Sequence, residues 1–491
     1  MQNGNLTLLL PEALVLLAAI LCLMNDALSG VKGRGLTHAI AVVASLAAGC
    51  IFLVLAGDGV PRTLFDGSYV VDGLASVLKA TVSFGFAATL IYGRRYIVER
   101  DLFKGEFYIL ALFSLLGQML MISGSSFLTL YLGLELMSLS LYALIALRRK
   151  DGLATESALK YYVLGALASG FLLYGISMTY GATGSLLLGD VFAAIDSGRI
   201  NHTMLVFGVV FIVVGVTFKL GAAPFHMWVP DVYQGAPTAV TLLVGAGPKV
   251  AAFAFAFRFL VNGMLPLAGD WQQMLIIIAA LSMIIGNVMG VVQSNIKRML
   301  AYSAISHQGF VLLGLLAGVF TGGDAHSITG AYGSALFYSV TYLLTTLGAF
   351  AVLMVLSRGD FEVTQIDDLK GLNKRSPWTA FVMLILMFSF AGIPPTVGFY
   401  AKLAVLSATV HAGLTWLAVL AVLTSLVGAF YYLRVVKVMY FDVPQDELPL
   451  DRDGGARVTL TANGLAVLAL GLLPGPLMTA CLWAVQRSLG Q

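Results

Sequence analysis

The sequence predicts an all-α polytopic membrane protein of about fourteen transmembrane helices, and three observations carry that prediction. The 491 residues are 59% hydrophobic and 11% charged, with a mean hydropathy of +0.91. A soluble domain has about a quarter of its residues charged, and no soluble core hides this much apolar surface. The apolar residues fall in runs long enough to cross a bilayer as a helix. The basic residues gather in alternate loops.

Spans fall near 5–25, 37–56, 73–93, 107–123, 125–147, 154–181, 203–222 (continuing bent to 234), 238–262, 271–292, 297–318, 326–356, 377–411, 414–441 and 459–485. The first follows Met1-Gln2-Asn3-Gly4 with no positive region ahead of it, so it reads as a retained span rather than a cleaved signal. An even count puts both termini on one side. One set of loops carries Lys32 and Arg34; Arg94, Arg95, Arg100 and Lys104; Arg148, Arg149 and Lys150; Lys297 and Arg298; Arg358, Lys370, Lys374 and Arg375; and Arg452 and Arg457. The alternate set offers Arg62, Arg199 and the terminal Arg487. This asymmetry assigns the basic loops to the cytoplasm and both termini to the outside. The longest polar connection, Ser357–Pro377, is expected to form a cytoplasmic platform or partner contact.

Two spans share an unusual grammar. The seventh reads Thr217-Phe218-Lys219-Leu220-Gly221-Ala222-Ala223-Pro224-Phe225, the twelfth Phe390-Ala391-Gly392-Ile393-Pro394-Pro395-Thr396-Val397-Gly398-Phe399. Proline removes a backbone donor and clashes with the preceding turn, so helices 7 and 12 are expected to be broken. Carbonyls freed at that depth need partners from protein or water. Five spans separate the breaks, so the second crosses in the opposite direction, the pattern of inverted repeats with function at the breaks. The expected organisation is a three-helix N-terminal segment (1–105), a first five-helix repeat of helices 4–8 (106–265), a second, inverted five-helix repeat of helices 9–13 (266–445) and a C-terminal helix 14 (446–491).

Charges inside apolar runs are the candidate functional residues, since one ammonium at mid-membrane costs about 2.5–3.5 kcal/mol on insertion scales. Lys219, Lys249 and Lys402 each lie within a few residues of a proline or a Gly/Pro break. Glu135 is the carboxylate in mid-run, and opposite a lysine it would stabilise that charge and report its protonation. Lys160, four residues after Glu156, is assigned to the same half-membrane as Glu135. His307, in Ser306-His307-Gln308, suits a relay because imidazole accepts on one nitrogen and donates from the other. Lys79 and Arg258, toward outer helix ends, read as side chains that snorkel to water. Tyr338, Tyr342, Ser339 and Thr341 line water or make interhelix hydrogen bonds.

The formal charge of +3 is spread over short loops, which argues against nucleic acid. Cys22, Cys50 and Cys481 are far apart in apolar segments and read as small core side chains rather than ligands or disulfides. No Gly-x-Gly-x-x-Gly follows a strand, and there is no phosphate loop or cysteine cluster. The chain is expected to hold no redox centre and no means of spending ATP, so a partner or an ion gradient supplies the energy.

The run Lys219-Leu220-Gly221-Ala222-Ala223-Pro224-Phe225-His226-Met227-Trp228-Val229-Pro230-Asp231-Val232-Tyr233, followed by Gly235-Ala236-Pro237-Thr238, resembles the signature of the antiporter-like subunits of respiratory complex I and of multi-subunit cation/proton antiporters. Asn295-Ile296-Lys297-Arg298-Met299-Leu300-Ala301-Tyr302-Ser303-Ala304-Ile305-Ser306-His307 resembles the tenth helix of the same family. With Glu135, the likeness covers essentially the whole chain. Lys402, in Gly392-Ile393-Pro394-Pro395-Thr396-Val397-Gly398-Phe399-Tyr400-Ala401-Lys402, is similar to the N branch of bacterial NADH–quinone oxidoreductases, the counterpart of mitochondrial subunit 2. The M branch is expected to carry glutamate there, and the chain ends soon after its last helix, without the long lateral helix of the L branch. The resemblance implies a proton-translocating subunit seated among other membrane-arm subunits in the cell inner membrane, both termini periplasmic. It implies Glu135–Lys219 as the charge pair, Lys160 as its modulator, Lys249 as central relay, Lys402 closing the second half-channel and His307 as an accessory in a hydrated axis. FMN, iron–sulfur clusters and quinone chemistry are expected in partner subunits. The alternative is a cation/proton antiporter subunit without redox coupling.

Overall fold

A computed structural model describes residues 6–57, 59–198, 200–320, 324–359, 361–444 and 454–490. The first part of the bundle comprises α1 (Leu10–Ala56), a short antiparallel hairpin of β1 (Arg62–Leu64) and β2 (Tyr69–Val71), α2 (Gly73–Glu99), α3 (Gly105–Ser123), α4 (Phe127–Ile145), α5 (Gly152–Thr183), α6 (Leu188–Asp196), α7 (His202–Leu220), α8 (Trp228–Gly235), α9 (Thr238–Gly245) and α10 (Gly247–Ala256). Then follow α11 (Ala268–Val291), α12 (Ile296–Phe320), α13 (Ala325–Leu356), α14 (Leu372–Arg375), α15 (Pro377–Ala391), α16 (Val397–His411), α17 (Thr415–Phe441), α18 (Gly454–Leu472) and α19 (Gly475–Ser488).

Among the described residues, 12 helical stretches are long and apolar enough to cross a membrane. The first, Leu6–Ala56, is folded on itself at Gly30, where φ is 51° and ψ −133°. Cys22 Sγ reaches Thr37 O at 3.6 Å, which a straight helix between them, about 22 Å long, would forbid. The pair α15 and α16 is shorter and forms one broken crossing. The sequence reading of about fourteen spans counts the two arms of α1 separately and this pair as one.

Contacts between loops sort the helix ends onto two faces. On one, Arg100, Arg148 and Lys297 all reach Glu362, and Arg298 reaches Asp231. A cleft of about 1040 Å³ on this basic face is lined by Asp26, Arg34, Arg100, Lys104, Arg148 and Asp151, among others. On the other face, β2 meets the end of α3 at Tyr69 and Gly124, Ser126 meets Leu187, and Asp72 meets Arg258 and Ser488. The described basic loops thus share one face, and the β1–β2 hairpin marks the other; Arg199 and Arg452 lie outside the described residues. The crossing α7–α8 runs from the hairpin face to the basic face, and α15–α16 runs the other way. By helix length the second break is central, 15 residues on either side, whereas the first, with 19 residues before it and eight in α8, lies toward the basic face.

The long helix α13 is central, packed by α2, α12, α15, α16, α18 and α19. Small residues let neighbouring helices touch backbone to backbone. A Cβ on Gly117 would lie 2.4 Å from Met137 N where α3 crosses α4, and one on Gly286 would lie 2.6 Å from Ser306 N where α11 crosses α12.

Several expectations need correction. The span 238–262 is not one helix: it parts at Ala246 (φ −101°, ψ −89°) and ends in a π-helical turn, Phe257–Gly263. The last span is two helices parted at Leu473-Pro474, because proline ends the first and suits the opening turn of the second. The seated break packs on another: a Cβ at Gly471 would lie 2.1 Å from the Pro395 carbonyl. The β1–β2 hairpin and α6 were not foreseen. Cys22 and Cys481 are buried, but Cys50 is exposed.

Candidate functional site

At the first break, Gly221 takes the left-handed conformation (φ 72°) and closes α7, its N–H donating to Phe218 O while Ala222 N donates to Thr217 O. The helix end thereby leaves the Leu220 carbonyl free, and Lys249 Nζ donates to it at 2.8 Å. The same ammonium lies 4.7 Å over the Trp228 ring, whose indole N–H binds Phe218 O. Ser282 Oγ accepts from Ala223 N, tying the loop to α11. The break at Ala246 is what aims Lys249, the third residue of α10, back at α7.

Lys219, one residue before that carbonyl, points to α4. Its Nζ donates to Ser138 Oγ at 2.8 Å and to Tyr142 OH at 3.5 Å. Glu135 lies one turn before Ser138 on α4, half-buried, and accepts a short hydrogen bond from Ser169 of α5. Glu135 and Lys219 therefore make no direct ion pair; Ser138 stands between them. Lys219 and Lys249 flank one helix end.

The second break repeats part of this. Gly392 (φ 82°) closes α15, and Lys402 Nζ donates to Ala391 O at 2.9 Å and to Ser425 Oγ of α17 at 2.6 Å. His307 is buried beside it, with Nδ1 2.6 Å from Tyr338 OH and Nε2 3.2 Å from Tyr432 OH. A cavity of about 10 Å³, the size of one water, is lined by His307, Tyr342, Thr345, Ser389 and Gly398. Of the polar residues expected in α13, Tyr338 and Tyr342 line this cavity with Thr341, while Ser339 bonds its own helix at Ala335 O. Between the breaks, Gln118 Oε1 and Gln308 Oε1 are buried without a hydrogen-bond partner, and the hydroxyls of Tyr233 and Thr346 both face Tyr342. Buried polar atoms rarely stay unpaired, and a bare amide oxygen can accept from water.

The structure does not bring Lys160 to Glu135. It is half-exposed on the basic face, between Glu156 (2.7 Å) and Asp231 (2.9 Å), and Asp231 also holds Arg298 at 2.6 Å. Lys79 and Arg258 do not snorkel. Lys79 is buried on Glu12 at 2.7 Å and Arg258 on Asp72 at 2.9 Å, because the hairpin folds Tyr69 and Asp72 inward over the helix ends. Sequence reasoning also missed Glu362, the buried carboxylate that accepts from Tyr96 OH and Thr238 Oγ1, both at 2.7 Å, and faces Lys297, Arg100 and Arg148. Glu12 gave the same signal as Glu135, an acid in an apolar run. Among the described residues, no three His, Cys, Asp or Glu side chains gather as metal ligands.

A family model described as NADH:quinone oxidoreductase/Mrp antiporter, TM, matches residues 124–428. The NADH-quinone oxidoreductase subunit N of Paraburkholderia phymatum is 62% identical over 492 residues, covering 100% of each chain. Among solved structures, a chain of respiratory complex I from Thermus thermophilus is 32% identical with a TM-score of 0.79, over 96% of this chain and 98% of that one. A chain of the Mrp complex from Dietzia sp. is 20% identical with a TM-score of 0.82, over 97% of each, which is a likeness of fold.

Proposed function

The chain belongs to the NADH:quinone oxidoreductase/Mrp antiporter family of membrane subunits, and we propose from that premise how its buried ammonium groups move protons. It is a membrane-arm, antiporter-like subunit of an NADH–quinone oxidoreductase and takes part in proton translocation; we assign electron transfer, with FMN and the iron–sulfur clusters, to other subunits. The basic face lies in the cytoplasm and the hairpin face outside the cell inner membrane, both termini with it. The fourth to eighth and ninth to thirteenth spans of the sequence form the two inverted units, residues 106–265 and 266–445.

What supports the relay is the placement of three ammonium groups at two helix breaks. Lys249 and Lys402 each sit on the last carbonyl of a helix, the negative end of its dipole, where a cation gains about 0.3–2 kcal/mol. Lys219 lacks that support. Its partners are hydroxyls, which accept from an ammonium and donate to an amine equally well. Its charge therefore depends on Glu135, within two side chains' reach across Ser138. With Glu135 turned toward Lys219, the ammonium is favoured; with Glu135 held by Ser169, Lys219 releases its proton. The proton passes through water attached at Gln118 to Lys249, and by way of His307, whose two nitrogens face two tyrosines, to Lys402. The reset takes another proton from the basic face. Lys160 tunes this charge pair from the surface.

The Mrp likeness, at 20% identity, does not favour antiport without redox coupling. The test is Lys219→Ala in the assembled complex. Proton pumping per NADH oxidised should be lost; a complex that still pumped normally would overturn the scheme.

A further inference from the structure

A second set of buried ionisable groups takes no part in this line. The start of α1 brings in Glu12, β2 brings Tyr69 and the second turn of α2 brings Lys79, all three nearly inaccessible. Glu12 Oε1 accepts from Lys79 Nζ at 2.7 Å and from the Tyr69 hydroxyl, which also accepts from Lys79 at 2.8 Å. The ammonium lies 4.8 Å over the Phe52 ring and 4.9 Å over that of Tyr69. The other carboxylate oxygen, Glu12 Oε2, is buried and has no partner. A cavity of about 10 Å³ on the hairpin face, lined by Leu8, Leu55, Gly59, Arg62, Asp72 and Ser76, lies between the end of α1 and the first turn of α2, about one helical turn from Lys79, which like Glu12 and Tyr69 does not itself line it.

A structural ion pair is a poor explanation. Two charges withdrawn from water cost several kcal/mol each, and apolar side chains of the same volume pack there as well or better. A carboxylate kept with one bare oxygen is a proton acceptor. We propose that Glu12, Tyr69 and Lys79 form a second proton-binding site, which exchanges protons with water on the hairpin face through the cavity beside Asp72. The inference rests on the proton-translocating reading of the chain.

On loading, an O–H bond forms at Glu12 Oε2 with a proton given up by water-borne hydronium. Oε1 keeps its two donors. The site goes from neutral to singly positive, and the charge rests on Lys79 between two ring faces, whose negative faces attract it. On release that O–H bond breaks and water takes the proton. The groups facing the site are Glu12 from α1, Tyr69 from β2, and Lys79 and Asp72 from α2. Beyond them, Arg258 from the π-helical turn neutralises Asp72, and Arg62 lines the cavity; Ser123 of α3 and Ser488 of α19 are polar and uncharged. Asp72 is spent on Arg258, Ser488 and the N-terminus of α2, which leaves Glu12 as the carboxylate with an open oxygen.

The experiment uses the whole complex in sealed vesicles, with NADH-driven proton pumping read per NADH oxidised while the compartment on the hairpin face is progressively acidified. Glu12→Gln/Lys79→Met removes both charges together, so no lone charge is buried. The variant should assemble, pump fewer protons per NADH than wild type, and lose the wild-type sensitivity to acid on that face. A ratio and acid response equal to wild type would overturn the inference. Should the double variant not assemble, Tyr69→Phe keeps the ring and both charges and removes one hydroxyl; a flattened acid response supports the site, and an unchanged one overturns it. Lys219→Ala run alongside separates the two readings: normal pumping there defeats the relay, whereas loss there with a normal Glu12→Gln/Lys79→Met variant defeats this site alone.

Discussion

The two helix breaks solve one problem with different means. At each, a left-handed glycine ends the helix and a lysine ammonium takes the last carbonyl: Lys249 on Leu220 O, Lys402 on Ala391 O. At the second break the lysine comes from the same crossing, 11 residues on, and aromatic Phe390 precedes the last helical residue. At the first the lysine comes from another helix, 29 residues on, and Lys219 takes the place that Phe390 fills at the second. Holding the freed helix end needs one lysine, so the second lysine at the first break is free to switch. In the proposed relay, this difference assigns the response to a charge change to α7 and the holding of the proton to α15–α16.

Alanine at the two glycines tests that division most severely. Both residues have positive φ, so both variants carry the strain of a left-handed L-residue, about 1–2 kcal/mol. The Cβ of Gly221→Ala would lie 2.7 Å from Lys249 Nζ itself, whereas that of Gly392→Ala would lie 2.8 Å from Lys402 Cδ, a methylene that shifts while the ammonium stays on Ala391 O. Gly221→Ala should therefore lose most proton pumping per NADH, and Gly392→Ala a smaller part, in complexes assembled to the same level. Equal or reversed losses would break the comparison.

The next effect concerns what keeps the breaks in register. Glu362 joins Thr238, at the start of α9 and so on the way to Lys249, to Lys297, at the start of α12 and so on the way to His307. Burial alone would raise the Glu362 carboxyl; Lys297 above all, then the Thr238 and Tyr96 hydroxyls and Arg100, bring it down from 4.5 to about 2. A carboxyl depressed on folding contributes stability above its unfolded value and loses it as pH falls toward the folded one. That contribution, at most about 3 kcal/mol, is complete at neutral pH and fades below about 4.5. In thermal unfolding of the purified complex, Glu362→Gln should be less stable than wild type at neutral pH, and the gap should close on acidification. A gap that stayed constant with pH would mean that hydrogen bonds, and not the charge, hold the platform.

The breaks were legible because glycine and proline inside an apolar run leave few alternatives to a helix end. Lys219, Lys249, Lys402 and Glu135 stood out for the same reason: a charge among leucines and phenylalanines. The partners were not legible. Lys249 and Lys402 turn to backbone carbonyls, which every residue offers, so no side chain announces the contact. Glu12 carried the Glu135 signal but sits at the start of its run, where an acid reads as a helix beginning. Lys79 and Arg258 were placed in water because depth along a helix does not reveal a hairpin folded over its end. Glu362 gathers Tyr96, Arg100, Arg148, Thr238 and Lys297, each more than 60 residues away, and nothing local marks its loop for that role. Gly245-Ala246-Gly247-Pro248 was legible as a Gly/Pro break, but not the turn at Ala246 that parts α9 from α10 and aims Lys249 at α7.

The smallest effect belongs to Lys160. Its side chain is 45% exposed and bridges Glu156 and Asp231 on the basic face. Ion pairs in such positions contribute little, since water and salt screen them and both side chains lose freedom. Removing Lys160 also leaves Asp231 paired, because Arg298 still holds it at 2.6 Å and keeps α8 docked on α12. Lys160→Met should therefore lower proton pumping only slightly, with assembly unchanged. Added salt, which screens the same charges in the wild type, should narrow the difference further. If Lys160→Met instead stopped pumping as fully as Lys219→Ala, the switch at the first break would extend to the surface of the chain, and the contrast between a switching break and a holding one would have to include the path that feeds it.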